Sequence, residues 1–222
     1  MTGLALAIAA SALVAIAAGL GVLPLAVLFI AKPLTTVLLI VHAARRGADE
    51  PSARRWILVG LVLSLVGDVA LLWPKEGFLP GLIAFLLAHL AYIVAFHGRV
   101  RFAARWQPFA GYALIAVLVL ALLWPGVPAA LRVPVLLYVL CLGSMAAQAA
   151  VVWLAVRSTT AEPLARMGAI GGALFMLSDA LLATNKFGGP LPLASLWVLA
   201  SYWVAQWCIA GSLRERVPPT CP

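Results

Sequence analysis

Apolar residues run along this chain in blocks of about twenty, separated by short polar stretches. Eight blocks can be drawn, over roughly residues 3–20, 23–43, 55–73, 79–98, 107–124, 133–156, 164–184 and 191–212. A helix needs ~20 mostly apolar residues to cross a bilayer. The pattern therefore predicts an all-α fold: a polytopic integral membrane bundle of eight transmembrane helices, forming a single transmembrane domain over residues 1–222. Punctuation supports the divisions. Pro24 opens the second block, Trp73-Pro74 closes the third, Trp124-Pro125 closes the fifth, and Gly188-Gly189-Pro190 separates the last two. The first block lacks the basic n-region of a signal peptide and is read as a retained helix.

The basic residues give the bundle a direction. With the N-terminus inside, Arg45, Arg46, Arg54, Arg55, Arg99, Arg101, Arg105, Arg157, Arg166, Arg214 and Arg216 fall in inner loops, and only Lys75, Arg132 and Lys186 in outer ones. That asymmetry obeys the positive-inside rule and predicts that both termini are cytoplasmic, in a plasma membrane of the bacterial inner-membrane type. Trp56, Trp73, Trp106, Trp124 and Trp153 sit near predicted span ends, where interfacial anchors belong. The net charge of +8 on its own would suggest a nucleic-acid partner. Its confinement to inter-span loops removes that reading and leaves membrane lipids as the surroundings. At 65% hydrophobic and 10% charged, the chain lies outside the soluble class.

Against this background two acidic residues stand out. Of the seven carboxylates only Asp68 and Asp179 interrupt apolar runs. Their surroundings are near copies: Leu63-Ser64-Leu65-Val66-Gly67-Asp68-Val69-Ala70-Leu71-Leu72 and Leu174-Phe175-Met176-Leu177-Ser178-Asp179-Ala180-Leu181-Leu182-Ala183. Each aspartate follows a small residue and precedes a lysine, Lys75 or Lys186, by seven positions. The two lie half a chain length apart, on the third and seventh spans, which run in the same direction. This suggests a 4+4 parallel internal repeat with halves 1–110 and 111–222, and both carboxyls at one depth in one shared outer cavity. An ionisable side chain inside a bilayer is expensive and marks a functional site by default.

Beyond the aspartates, the spans contain Lys32, His89, Gln148 and Gln206. Lys32 precedes Pro33, which removes a backbone donor and permits a local break in the second span. So deep a lysine must pair or snorkel, and it is expected to pair with one of the aspartates, either as a structural ion pair or within the site. His89 shares a helix face with Phe85 and Tyr92 and reads either as a hydrogen-bonded core residue or as a member of the site. Gln148 and Gln206 read as interhelical hydrogen-bonding residues. Lys75 and Lys186 are either ordinary interfacial lysines or a cationic rim for a phosphate headgroup. Three histidines without i, i+4 spacing give no metal site, and no cofactor is expected. Cys141, Cys208 and Cys221 show neither redox nor metal spacing.

The run Lys32-Pro33-Leu34-Thr35-Thr36, the Gly67-Asp68-x-x-Leu71-Leu72 segment, the His89-x-x-Tyr92 pair and the Ser178-Asp179-x-Leu181 segment resemble, in order and spacing, the YhhN family of membrane lysoplasmalogenases. The resemblance covers roughly residues 25–210. It implies hydrolysis of the vinyl ether bond of a lysophospholipid-type substrate, giving a fatty aldehyde and a glycerophospho-alcohol. It also implies that Asp68 and Asp179 are the catalytic aspartates. Lys32, His89, Tyr92, Lys186 and Ser178 would then support them or bind substrate. The chemistry suits a carboxyl pair. Protonation of the outer alkene carbon gives an oxocarbenium ion, as in glycoside hydrolysis, so one carboxyl must be a protonated acid and the other an ionised base or stabiliser. Apolar surroundings favour the first state and a nearby cation, here Lys32, the second. The competing readings are a transporter or lipid carrier whose aspartates bind protons or ions, and a structural protein whose aspartates only cross-link helices.

Overall fold

The computed structural model describes residues 2–73 and 75–215; Met1, Pro74, Arg216 and Cys221 lie outside the described residues. Among the described residues are eight α-helices: α1 (Thr2–Gly19), α2 (Leu25–Ala44), α3 (Pro51–Ala70), α4 (Phe78–His97), α5 (Gln107–Leu123), α6 (Arg132–Ala155), α7 (Glu162–Ala183) and α8 (Ala194–Gly211). Each of the eight apolar blocks has become one helix. Six of them, α1, α2 and α4 to α7, are long and apolar enough to cross a membrane, and the protein is a multi-pass membrane protein. The other two depart from that standard for visible reasons. Arg54, Arg55 and Asp68 put three charges on α3, and Trp197, Tyr202, Trp203, Gln206 and Trp207 dilute the apolar content of α8.

Helix starts follow local chemistry. Pro51, Pro108 and Pro163 stand in the first turns of α3, α5 and α7, where the missing N–H costs nothing. The local break that Pro33 permits does not occur: α2 runs unbroken through it from Leu25 to Ala44. The end of α3 differs in the other direction. It stops at Ala70, so Lys75 lies in the following turn and not two helical turns beyond Asp68 on one face. α7 instead widens into a π turn, Thr184–Gly188, and leaves it through Gly189 at a φ of 121° that suits glycine. Asn185 fastens the return, its side-chain oxygen accepting from the backbone N–H of Leu191 at 2.9 Å.

Seven helices close a ring in the order α1, α2, α3, α4, α6, α7, α8, with α8 returning to α1 and also touching α2 and α3. The α3–α4 and α7–α8 pairs pack most extensively. Both rely on glycine, since helices in lipid associate through close packing of small residues. A Cβ on Gly60 would lie 2.2 Å from the Tyr92 ring, and one on Gly171 would lie 2.9 Å from the Ala205 carbonyl oxygen. α5 stands outside the ring, held by α6 and the π turn, and buries only Leu123. Between it and the ring lies the space described next. No internal repeat is evident at the level of the whole fold: α1 closes the ring against α8, while α5, its counterpart in a 4+4 scheme, stays outside.

Candidate active site

Asp68 sits in the last turn of α3 and is 1% exposed. A carboxylate so deep must be paired and hydrogen-bonded, and two elements supply the partners. From α2, Lys32 Nζ lies 3.5 Å from Asp68 Oδ1 and donates to the Asp68 backbone carbonyl at 3.1 Å, while Thr36 Oγ1 donates to Oδ2 at 2.6 Å. From α8, the Tyr202 hydroxyl donates to the same oxygen at 2.7 Å. The expected pairing of Lys32 with an aspartate is present, and Lys32 itself is only 7% exposed. The cluster continues inward. Gln206 donates to Tyr202 at 3.2 Å and accepts from the Tyr92 hydroxyl at 2.8 Å, and Tyr92 reaches Ser64 at 3.4 Å. Gln206 thus links α4 and α8, as read from the sequence. Tyr92 belongs to this buried string.

Asp179, near the end of α7, has a different setting. The Tyr138 hydroxyl from α6 donates to its Oδ2. His89 from α4 places Nε2 3.8 Å from that oxygen and 3.1 Å from the Tyr138 hydroxyl. With Nε2 protonated, the donors run His89 to Tyr138 to Asp179, a direction assigned from hydrogen-bond geometry. The Asp179 side chain is 15% exposed, and it borders a cavity of about 490 Å³ between α4, α5, α6 and α7. The cavity wall is otherwise almost wholly apolar, with Leu82, Phe85, Ala116, Leu120, Leu142 and Met176 among its residues, and Tyr138 beside Asp179. Phe78, Val127 and Phe187 line its end beside the π turn. Lys186, in the π turn, lies 4.2 Å from the centre of the Phe78 ring at that rim.

The two aspartates do not line one cavity. Asp179 borders the 490 Å³ space; Asp68 is not among its lining residues. Aromatic rings stand between them: Phe85, Phe175 and Tyr202 meet edge to face, with centroids 5.5 to 6.2 Å apart. Tyr202 holds Asp68 on one side, and Phe175 carries His89 at 4.6 Å on the other. The expectation of one shared cavity is corrected accordingly. The sequence makes Asp68 and Asp179 look equivalent, but burial depends on the neighbouring helices, and α5 leaves a space on the Asp179 side. Ser178 also points elsewhere: its hydroxyl donates to the Val198 carbonyl at 3.0 Å, tying α7 to α8.

Sequence reasoning missed Tyr138, Tyr202 and the role of Thr36. A signal for the first two existed. The chain has four tyrosines, Tyr92, Tyr112, Tyr138 and Tyr202, all within predicted spans. A buried phenol seeks a hydrogen-bond partner, and Tyr112, the fourth, lines the cavity. Among the described residues no cluster of His, Cys, Asp or Glu can hold a metal ion.

The chain is 36% identical to human lysoplasmalogenase TMEM86A over 178 residues, 77% of this chain and 69% of that protein. It is 37% identical to human lysoplasmalogenase TMEM86B over 167 residues, 72% of this chain and 64% of the relative. A lysoplasmalogenase of Mycobacterium tuberculosis is 33% identical over 141 residues, covering 60% of this chain and 51% of the relative. No solved structure matches the chain. The YhhN family matches residues 27–213, which include both aspartates and every partner described above, and the chain belongs to that family.

Proposed function

We propose that the protein is a membrane ether hydrolase that cleaves the vinyl ether bond of lysoplasmalogens to a fatty aldehyde and a glycerophospho-alcohol. The observation that carries this reading is a hydrogen-bonded carboxyl, Asp179, set in the wall of an otherwise apolar cavity within the bundle. Such a cavity suits a hydrocarbon chain, with few polar groups placed to fix the reacting atoms. The lysoplasmalogenase relatives give the bond.

The reaction adds one water: R–CH=CH–O–R′ becomes R–CH2–CHO and HO–R′. Asp179 as the protonated acid gives its proton to the outer alkene carbon, leaving an oxocarbenium ion and a carboxylate. Water adds to the carbon next to oxygen, and its proton returns to Asp179. The hemiacetal then loses its hydroxyl proton as the ether oxygen gains one, releasing aldehyde and alcohol. General acid–base catalysis of this kind supplies ~10²–10⁴-fold. The two-aspartate chemistry is divided unequally. Asp179 meets the substrate, whereas Asp68, with Lys32 and Thr36, orients Tyr202 and so the Phe85–Phe175 wall that carries His89. Lys186 at the rim meets the headgroup phosphate, and Tyr92 and Ser178 support the helix contacts.

The same reading keeps both termini cytoplasmic and all eight helices as spans of a single domain. It also retains the 4+4 repeat. Asp68 on α3 takes partners from α2 and α8, and Asp179 on α7 takes them from α6 and α4, which are the equivalent helices under a four-helix shift. The test is purified protein in detergent or vesicles, given lysoplasmalogen, a lysophospholipid with an ester and one with a saturated ether side by side. Aldehyde release from the first alone supports the assignment. Release of fatty acid from the ester, or no product from any, overturns it.

A further inference from the structure

Tyr138 has no role in the chemistry above, yet its hydroxyl is the nearest group to the reacting carboxyl. It donates to Asp179 Oδ2 and lies 3.1 Å from His89 Nε2. It also lines the cavity, so it stands at the boundary between the buried histidine and the substrate space. His89 is fully buried, and its Nδ1 has no hydrogen-bond partner among the described residues. The imidazole is thus oriented by Nε2 alone, through Tyr138, and by its edge contacts with Phe175 and Tyr138. Both donors approach the same oxygen of Asp179. Oδ2 is occupied by Tyr138 and faced by His89 at 3.8 Å.

We propose that Tyr138 is a positioning residue for vinyl ether cleavage: by occupying Asp179 Oδ2 it leaves Oδ1 as the oxygen that carries the proton to the alkene. The role rests on the hydrolase reading above. In the first step the Oδ1–H bond breaks, a C–H bond forms at the outer alkene carbon, and the electron pair of the O–H bond stays on the carboxylate. Negative charge develops on that group as the oxocarbenium ion forms. A hydroxyl already aimed at Oδ2 stabilises it without reorganisation, which is where preorganised donors contribute most to catalysis. His89 holds the phenol in place by donating to its oxygen. None of this requires Tyr138 to bind the lipid, so its loss is felt in turnover and not in affinity.

The experiment compares full-length wild type with Tyr138→Phe and with 3-fluorotyrosine installed at position 138, all assayed on the same lysoplasmalogen. Phenylalanine keeps the ring in the cavity wall and removes only the donor. The expected result is a kcat lower by ~10²-fold, the loss typical of removing one such donor, with KM within about threefold and a modestly lower melting temperature, because the buried His89 Nε2 loses its partner. The fluorinated tyrosine retains the donor and is expected to keep kcat within about threefold of wild type. Turnover of Tyr138→Phe within threefold of wild type overturns the proposal. So does a fluorotyrosine protein as slow as the phenylalanine variant. If Tyr138→Phe does not fold, the fluorotyrosine protein keeps the proposal testable: a kcat ~10²-fold below wild type with the donor retained overturns it. Failure of the wild type to release aldehyde overturns the hydrolase reading and this role together, whereas normal wild-type turnover with an active phenylalanine variant overturns this role alone.

Discussion

Replacing Asp68 by asparagine separates a carboxyl that reacts from a carboxyl that positions. The substitution preserves shape, and asparagine's oxygen still accepts from Thr36 and Tyr202, which now hold Oδ2 at 2.6 and 2.7 Å. The Asp68 backbone carbonyl also remains for Lys32, at 3.1 Å. What disappears is the negative charge 3.5 Å from a buried ammonium. Breaking a buried ion pair by removing one partner costs about 3–5 kcal/mol, because the other charge stays behind unpaired. The surviving hydrogen bonds put this case near the lower bound, about 3 kcal/mol. For a chain of this size, that corresponds to a fall in melting temperature on the order of 10 °C. Removing both charges in Lys32→Met/Asp68→Asn leaves no stranded ion, so the double variant should be more stable than the Asp68→Asn single. Thermal melts of the four proteins in one detergent give the coupling directly. Turnover, measured well below the transition of the weakest variant, should fall less than about tenfold in Asp68→Asn. Two results would refute the reasoning. One is a double variant whose loss equals the sum of the singles, which denies the pair any coupling. The other is an Asp68→Asn protein with a wild-type melt and a turnover loss of ~10²-fold or more, which would make Asp68 a proton donor in its own right.

Three further outcomes are expected. Asp179→Asn should lose at least ~10²-fold in kcat with a melting temperature close to wild type, since its side chain borders the cavity and loses only its acid function. Gly60→Ala places a methyl 2.2 Å from the Tyr92 ring and should cost about 1–3 kcal/mol by overpacking the α3–α4 contact, read as a lower melting temperature with the KM of the surviving fraction unchanged. Ala116→Trp, on the α5 side of the cavity, should raise KM for long alkenyl chains more than for short ones; equal KM values for both would show that the chain does not occupy this space.

The helices were legible because the bilayer requirement is written continuously along the chain: about twenty apolar residues per crossing leave little freedom, and each predicted block ends within a few residues of an observed helix. The interiors of those blocks told more than their ends. Asp68, Asp179, Lys32 and His89 were visible because a charged or titratable side chain among leucines and alanines is costly in a bilayer and must find a partner there. The ends carried weaker signals. Lys75 and Lys186 share the spacing of seven from their aspartates, but α3 stops at Ala70 while α7 opens into a π turn, and nothing in the local pattern separates these outcomes. The break that Pro33 permits does not form: α2 is packed between α1 and α3, and neighbours can hold a helix through a proline.

The twin segments show where local pattern stops being informative. Gly67-Asp68 and Ser178-Asp179 are nearly the same string, and each aspartate takes a tyrosine hydroxyl together with a basic side chain. Their difference comes from the one small residue before each aspartate and from what the neighbouring helices place against it. Gly67 lets the Phe85 ring approach so closely that an added Cβ would meet it at 2.6 Å, sealing the Asp68 side. Ser178 instead spends its hydroxyl on α8, while α5, standing off the ring, leaves the cavity in front of Asp179. One carboxyl is closed in with a lysine and the other is open to a hydrocarbon-lined space with a phenol and an imidazole behind it. A reaction that needs one proton delivered to carbon requires only the second to meet the substrate. The first can then be kept as a fixed charge pair that braces the aromatic wall, which is why stability, and not turnover, is the property expected to report on it.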